Sequence, residues 1–320
     1  MIMSQDTTMP TAAVTINALC DAYLKDRQNP FAERKCKHPK SLAYHLKATR
    51  DLWGHMSVSE FGAGSKARVK ATCQEWREQG LSPFTVRKRI SILKTVFRHA
   101  VDEELIGRAD EPVIKLPPNG QPRERFVDDE SELPALLRAA DQSATPDHLR
   151  LLLELLLRTG QRRGAILALK WENVDFDKRV IRFRDTEAAS ERSKKRRGDK
   201  PMDDGLFALL QRAYEARDEE CDYVISWRGK RVTNPYHGLK AIYRRAGLAD
   251  LRTHYMRRSS ATYVNNETGG DEQQAANHID DTVATARKHY IQPNPRVNLP
   301  SVEAVSRLMA RARAAARLTK

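Results

Sequence analysis

Cysteine is scarce in this 320-residue chain, and its four copies, Cys20, Cys36, Cys73 and Cys221, are scattered with no C-x-x-C pair. That spacing argues against a zinc site or a disulfide framework and fits reduced thiols in a cytoplasmic protein. Cys36 stands near His38, but one thiolate and one imidazole make a poor metal site, and a surface loop is the simpler reading. No apolar run approaches the roughly 20 residues of a membrane span. The opening residues, MIMSQDTTMPTAAV, carry no basic segment followed by an apolar core, which argues against secretion. Aromatic residues make up only 7% of the chain. They form no recognisable stacking motif, and no amphipathic membrane helix is evident, so RNA-binding and membrane-surface roles are disfavoured. Acidic residues are outnumbered, Asp+Glu 42 against Lys+Arg 56, for a net charge of +14. The imbalance points to a polyanionic partner, nucleic acid ahead of an anionic membrane surface.

What is present suffices for two domains with proper cores. The first third reads as helical. Ile16, Leu19, Cys20, Tyr23 and Leu24 fall at helical spacing within 12–25. Further helices are predicted over 41–53 and 65–79, the latter opened by Gly62 and Gly64 and closed by Gly80. Ser82-Pro83 reads as an N-cap followed by proline at the first helical position. Val86, Ile90, Leu93, Phe97 and Val101 continue that helix as an apolar stripe. Arg87, Lys88, Arg89, Lys94 and Arg98 occupy its other faces. Such a basic bundle either lies on DNA phosphates or carries a solvated cationic surface. Arg87, Lys88 and Lys94 are the candidate DNA contacts here.

Four prolines, Pro112, Pro117, Pro118 and Pro122, break the pattern and set the domain boundary near residue 120, dividing the chain into 12–118 and 119–320. A short amphipathic helix is expected over 131–140. Leu149–Leu157 is apolar nearly all round and reads as a central core helix. It ends at Gly160, where a new helix holds Arg162 at a buried junction; a guanidinium there must be paired or offered to an anion. Residues 173–184 have strand character and lead into a basic run, Arg192-Ser-Lys-Lys-Arg-Arg197. A two- or three-stranded hairpin with a long cationic turn is expected, with Lys195 and Arg196 as further DNA contacts. Helices follow over 206–217 and from Asn234-Pro235 to Ala246; between them, 223–227 is a strand or the lead into a helix. The chain is thus mainly α with a small antiparallel β-sheet.

Residues 251–292 carry the chemistry. His254 and Arg257 stand one helical turn apart and share a face. A Gly269-Gly270 break precedes His278, and a basic helix-compatible run, Thr285-Ala-Arg-Lys-His-Tyr290, closes the stretch. Cations, imidazoles and a phenol together suit phosphate chemistry without a metal.

The order Thr159-Gly-Gln-Arg162, basic hairpin, His254-Tyr-Met-Arg257 and Thr285-Ala-Arg-Lys-His-Tyr290 resembles the tyrosine recombinases, the phage integrase family. The likeness covers roughly residues 12–300. It implies a helical-bundle core-binding domain that holds DNA and a mixed α+β tyrosine recombinase catalytic domain. It also implies strand cleavage and rejoining through a 3′-phosphotyrosine. A phenol with a pKa near 10 is a weak nucleophile at neutral pH. By the resemblance Tyr290 attacks, Arg162 and Arg257 clamp the non-bridging oxygens, and His254 and His278 serve as hydrogen-bond or acid/base groups. A hairpin lysine, Lys194 ahead of Lys195, protonates the leaving 5′ oxygen. No metal, nucleotide or other cofactor is implied. The implied partners are double-stranded recombination sites, a homotetramer on DNA with the 301–318 helix packing on a neighbour, and accessory bending or directionality proteins at the nucleoid.

Three departures stand out. The residue three after Arg162, often an acid in the family, is Ala165. Strand register puts Thr186 or Glu187 where the hairpin lysine often sits. His278 lies farther from Tyr290 than the family's usual spacing. Tyr255 and Tyr263 are rival nucleophiles, expected instead in core or surface roles. The departures keep open an inactive DNA-binding relative of the same fold.

Overall fold

The computed structural model describes residues 14–28, 39–120, 125–142, 146–184, 198–292, 303 and 305–309. The chain divides into two units, Met1–Pro122 and Arg123–Lys320. The first carries α1 (Ile16–Gln28), α2 (Pro39–Trp53), α3 (Val58–Gly62), α4 (Ser65–Glu78) and α5 (Pro83–Asp102). Ser82 starts α5 as its residue type dictates: its hydroxyl accepts from the Thr85 N–H, and Pro83 fills the first turn, where no N–H is missed. The stripe Val86, Ile90, Leu93 and Phe97 is buried against Ile16, Leu19, Leu46 and Phe61, with Phe61 and Phe97 stacked at 5.5 Å. Full burial of each such side chain contributes about 1.5–3 kcal/mol. The short helix α3 was not expected; five residues are too few to show a period, although Ser57 caps it through the Glu60 N–H.

Of the five basic residues of α5, Lys88, Lys94 and Arg98 are exposed. Arg87 is half-buried and donates to the Pro117 carbonyl, and Arg89 lies over the Trp76 ring at 4.8 Å. Cys20 and Cys73 are buried thiols in this unit, and Cys221 is one in the second. Cys36 and His38 lie outside the described residues.

The second unit begins with α6 (Glu132–Ala140), α7 (Asp147–Thr159) and α8 (Arg163–Ile166). Next come β1 (Val174–Asp175), β2 (Val180–Ile181), β3 (Lys200–Pro201) and α9 (Asp204–Glu215). A two-stranded hairpin, β4 (Ser226–Trp227) and β5 (Lys230–Arg231), leads into α10 (Tyr236–Arg245), α11 (Thr253–Glu267), α12 (Glu272–His278) and α13 (Val283–His289). α7 is the core helix its sequence predicts, with Leu152, Leu153 and Leu155 fully enclosed. The 173–184 stretch is not one strand. Arg179 takes a left-handed φ of 52°, and the chain folds back so that Val174 pairs with Ile181. β3 then pairs antiparallel with β2, Ile181 opposite Lys200. Pro201 sits on the outer strand of this sheet, where its missing donor is tolerated.

α11 is the element that positions the site, and it is unusual in burying polar residues. Arg257, Arg258, Ser259, Ser260, Thr262 and Asn265 are all buried along it. α7 packs on one side and α12 on the other, so the polar groups need partners inside the protein. Ser259 accepts from the Val127 N–H and donates to the Tyr255 carbonyl. Arg258 donates twice to the His289 carbonyl, at 3.0 and 2.6 Å, and Thr262 donates to the Tyr290 carbonyl at 3.1 Å. A small apolar cluster, Ala261, Ala276, Ile279, Ala286 and Tyr290, seals α11 to α12 and α13. No described helix is long and apolar enough to cross a membrane.

Candidate active site

A cavity of about 1030 Å³ opens between the start of α8, the start of α11 and the α12–α13 turn. Arg162, His254, Arg257, Asp281 and Tyr290 all line it. Four of the six expected catalytic residues, far apart in sequence, therefore meet in one place.

Gly160 makes the meeting possible. It ends α7 with a left-handed φ of 58°, and a Cβ there would stand 2.9 Å from Ile279 Cγ2 and 3.1 Å from Ser260 Oγ. Glycine alone relieves both constraints. Its carbonyl accepts from Arg257 Nη1 at 2.7 Å. Two residues on, Arg162 takes an extended conformation (φ −66°, ψ 135°) as the N-cap of α8. Arg162 is half-buried rather than enclosed, because α8 starts at the cavity mouth instead of inside the core.

Arg257 is 1% exposed, and its Cζ lies 4.8 Å from the centre of the Tyr290 ring. Burial, then the neighbouring Arg162 charge, lower its pKa, while Tyr290 and Asp281 pull it upward. A guanidinium stays charged through such shifts. His254 shares the cavity face of α11, with its ring 5.5 Å from that of Tyr290 and edge-on to it. The residue is exposed at the cavity opening. Desolvation, then the charges of Arg257, Arg258 and Arg162, lower its pKa from the ordinary 6.5. The shift favours the neutral imidazole, the form able to accept a proton. Tyr290 caps the C-terminus of α13, its N–H bonded to the Ala286 carbonyl at 2.8 Å. Arg258 and Thr262 grip the carbonyls of His289 and Tyr290, so the phenol is held by its backbone as well as by packing.

His278 does not line the cavity. It lies behind Gly160, its Nε2 2.7 Å from Ser260 Oγ. Burial first, then Lys200, push its pKa down to about 4. The unfolded chain binds a proton there below about pH 6.5 while the folded chain does not until about pH 4. Stability tied to His278 is complete above pH 6.5 and is lost as pH falls through that window, by about 3 kcal/mol. Between pH 7 and pH 4 the wild type should lose more unfolding free energy than His278→Gln, which has no titrating group at this position. Parallel curves would contradict this.

Tyr255 is buried in the main core, and Tyr263 donates to the Val127 carbonyl at 2.8 Å; neither reaches the cavity. Lys194, Lys195 and Arg196 lie outside the described residues. Two residues passed over in the sequence prove prominent. Lys200 on β3 is 7% exposed and donates to the His278 carbonyl at 2.6 Å, to the Asn277 carbonyl at 3.4 Å and to Asp280 Oδ1 at 2.9 Å. Asp281 Oδ2 accepts from Arg162 Nη2 at 2.8 Å and from Arg257 Nη2 at 3.1 Å. The available signal was the adjacent acidic pair Asp280-Asp281 between His278 and Tyr290, since buried arginines require a counter-charge.

Residues 127–296, more than half of the chain, match the model of the phage integrase family. A tyrosine recombinase XerC-like protein of Caldanaerobacter subterraneus subsp. tengcongensis is 30% identical over 109 residues, 33% of this chain and 27% of its own length. Tyrosine recombinase XerC of Bacillus licheniformis is 26% identical over 218 residues, 62% of this chain and 67% of its own. The match thus spans only about a quarter of the first relative. Among solved structures, a lambda integrase tetramer bound to a Holliday junction superposes with a TM-score of 0.65 at 16% identity, covering 89% of this chain and 81% of that one. At that identity the likeness establishes a shared fold.

Proposed function

The chain belongs to the phage integrase family of tyrosine recombinases, and on that premise we propose that it is a site-specific DNA recombinase working through a 3′-phosphotyrosine. One observation carries the reading: the Tyr290 phenol faces the same cavity as Arg162, Arg257 and His254. In the proposed step Tyr290 Oη bonds to the scissile phosphorus and gives its proton to His254. The bond from phosphorus to the 5′ oxygen breaks, and the departing oxygen takes a proton from a hairpin lysine, Lys194 or Lys195. Lys200 is poorly suited to that role, since each of its protons already has a protein acceptor. Arg162 and Arg257 hold the non-bridging oxygens and balance the charge that grows on them. Rejoining reverses the step: a 5′-hydroxyl attacks the phosphotyrosine, so no outside energy source is required. Asp281, half-buried and bonded to both arginines, belongs to the same clamp.

The first unit serves as the DNA-holding domain, with Arg87, Lys88 and Lys94 contributing phosphate contacts. A homotetramer on DNA fits the assembly seen for the lambda integrase relative. Affinity for duplex DNA should fall by about 10³ or more between 50 and 200 mM salt, as for a protein neutralising 6–10 phosphates; fluorescence anisotropy across that range checks it, and a flat response would contradict it.

The target sequence need not be known to test the activity. A pool of random-sequence duplexes, each with a nick just downstream of the randomised region, lets the short cleaved piece diffuse away and strands the covalent complex. DNA that stays on the protein through detergent should converge on one sequence. Tight but wholly detergent-sensitive binding would favour instead an inactive DNA-binding relative.

A further inference from the structure

The Asp281 carboxylate sits where a phosphate oxygen is expected. A single oxygen, Oδ2, accepts from both Arg162 and Arg257, at 2.8 and 3.1 Å. A carboxylate and a phosphate offer a guanidinium the same thing, an anionic oxygen in the plane of its N–H fork. The neighbouring acid is used differently: Asp280 is bound by Lys200 and Gln161, away from the arginines. The other Asp281 oxygen, Oδ1, accepts from the Thr282 N–H at 3.1 Å. Thr282 in turn caps α13 through the Thr285 N–H, and α13 ends at Tyr290. One side chain thus touches both arginines at one end and the start of the nucleophile's helix at the other.

We propose that Asp281 is an internal stand-in for the scissile phosphate: it holds the two arginines together when no DNA is bound, and an entering phosphate displaces it. The proposal rests on reading Arg162 and Arg257 as a phosphate clamp. Two like charges sharing one cavity repel, and Asp281 relieves that repulsion until the substrate arrives. The substrate then competes with a tethered carboxylate, so its apparent affinity is reduced by the fraction of molecules in which the seat is taken. Displacement also frees the Thr282 N–H from its side-chain acceptor, so occupancy of the clamp is felt at the start of the helix that ends in the phenol. Ala165 stands three residues after Arg162, and Asp281 supplies the clamp with a carboxylate from the opposite wall.

The test is titration of inorganic phosphate into the full-length wild type and Asp281→Asn at low salt, by calorimetry. Asparagine keeps the shape and removes the charge, so the variant should bind phosphate about tenfold more tightly. Adding Arg257→Lys to Asp281→Asn should erase the gain. Equal or weaker binding by Asp281→Asn would overturn the proposal and leave Asp281 as a structural tie. Should the variant not fold, the wild type answers by itself: phosphate should speed hydrogen exchange at the Thr282 amide, and unchanged or slower exchange would overturn the proposal. Neither readout requires DNA cleavage. A phosphate effect without any covalent DNA complex would count against recombination and not against the stand-in; covalent complexes without the effect would do the reverse.

Discussion

Tyr290→Phe should bind duplex DNA with the affinity of the wild type and form no covalent complex with it. The phenylalanine ring keeps the packing against Ala261, Ala276, Ile279 and Ala286, so the fold loses little. The contacts that hold this position, from Arg258 to the His289 carbonyl and from Thr262 to the Tyr290 carbonyl, involve backbone acceptors and survive the change. Only the nucleophilic oxygen is removed. Detergent-resistant complexes on a nicked duplex measure the loss directly, and a complex formed by Tyr290→Phe at the wild-type level would move the nucleophile elsewhere. Tyr255 and Tyr263 are poor substitutes because the core and the Val127 carbonyl already engage them.

Arg257→Lys and Arg162→Lys should each slow covalent complex formation by about 10²-fold or more, the scale on which removing one transition-state hydrogen-bond donor acts. Charge is kept, so the loss isolates the planar fork. The two variants should differ in stability. Arg257 is enclosed and ties α11 to the Gly160 carbonyl, and a shorter ammonium cannot serve both that carbonyl and the cavity. Breaking a buried charge's partnership costs about 3–5 kcal/mol, so thermal melts should show Arg257→Lys well below Arg162→Lys. Equal rates for wild type and either variant would remove that arginine from the clamp.

Much of this architecture was readable in the sequence because it is local. Ser82-Pro83 starts a helix by its own chemistry, the leucines of α7 declare a core by their density, and His254 and Arg257 share a face by spacing alone. The order of the motifs then assembled the arginines, His254 and Tyr290. What escaped was set by contacts across long separations. Asp281 meets Arg162 over 119 positions, and Lys200 meets Asp280 over 80. No periodicity encodes such pairs. Strands of two residues are likewise too short to show alternation, so the sequence pattern carries no mark of the turn at Arg179. His278 was placed by motif order, whereas its position in space follows from Gly160, which admits the ring close behind the cavity wall.

The proposed reaction turns on a covalent bond from Tyr290 to the 3′ phosphate of a cut strand. Digestion of the trapped protein–DNA complex, followed by mass spectrometry of the modified peptide and end-labelling of the DNA, tests it in one measurement. The expected products are a nucleotide-bearing peptide containing Tyr290, a blocked 3′ end and a free 5′-hydroxyl that a kinase can label. A modified residue other than Tyr290, or a protein-linked 5′ end, would contradict it.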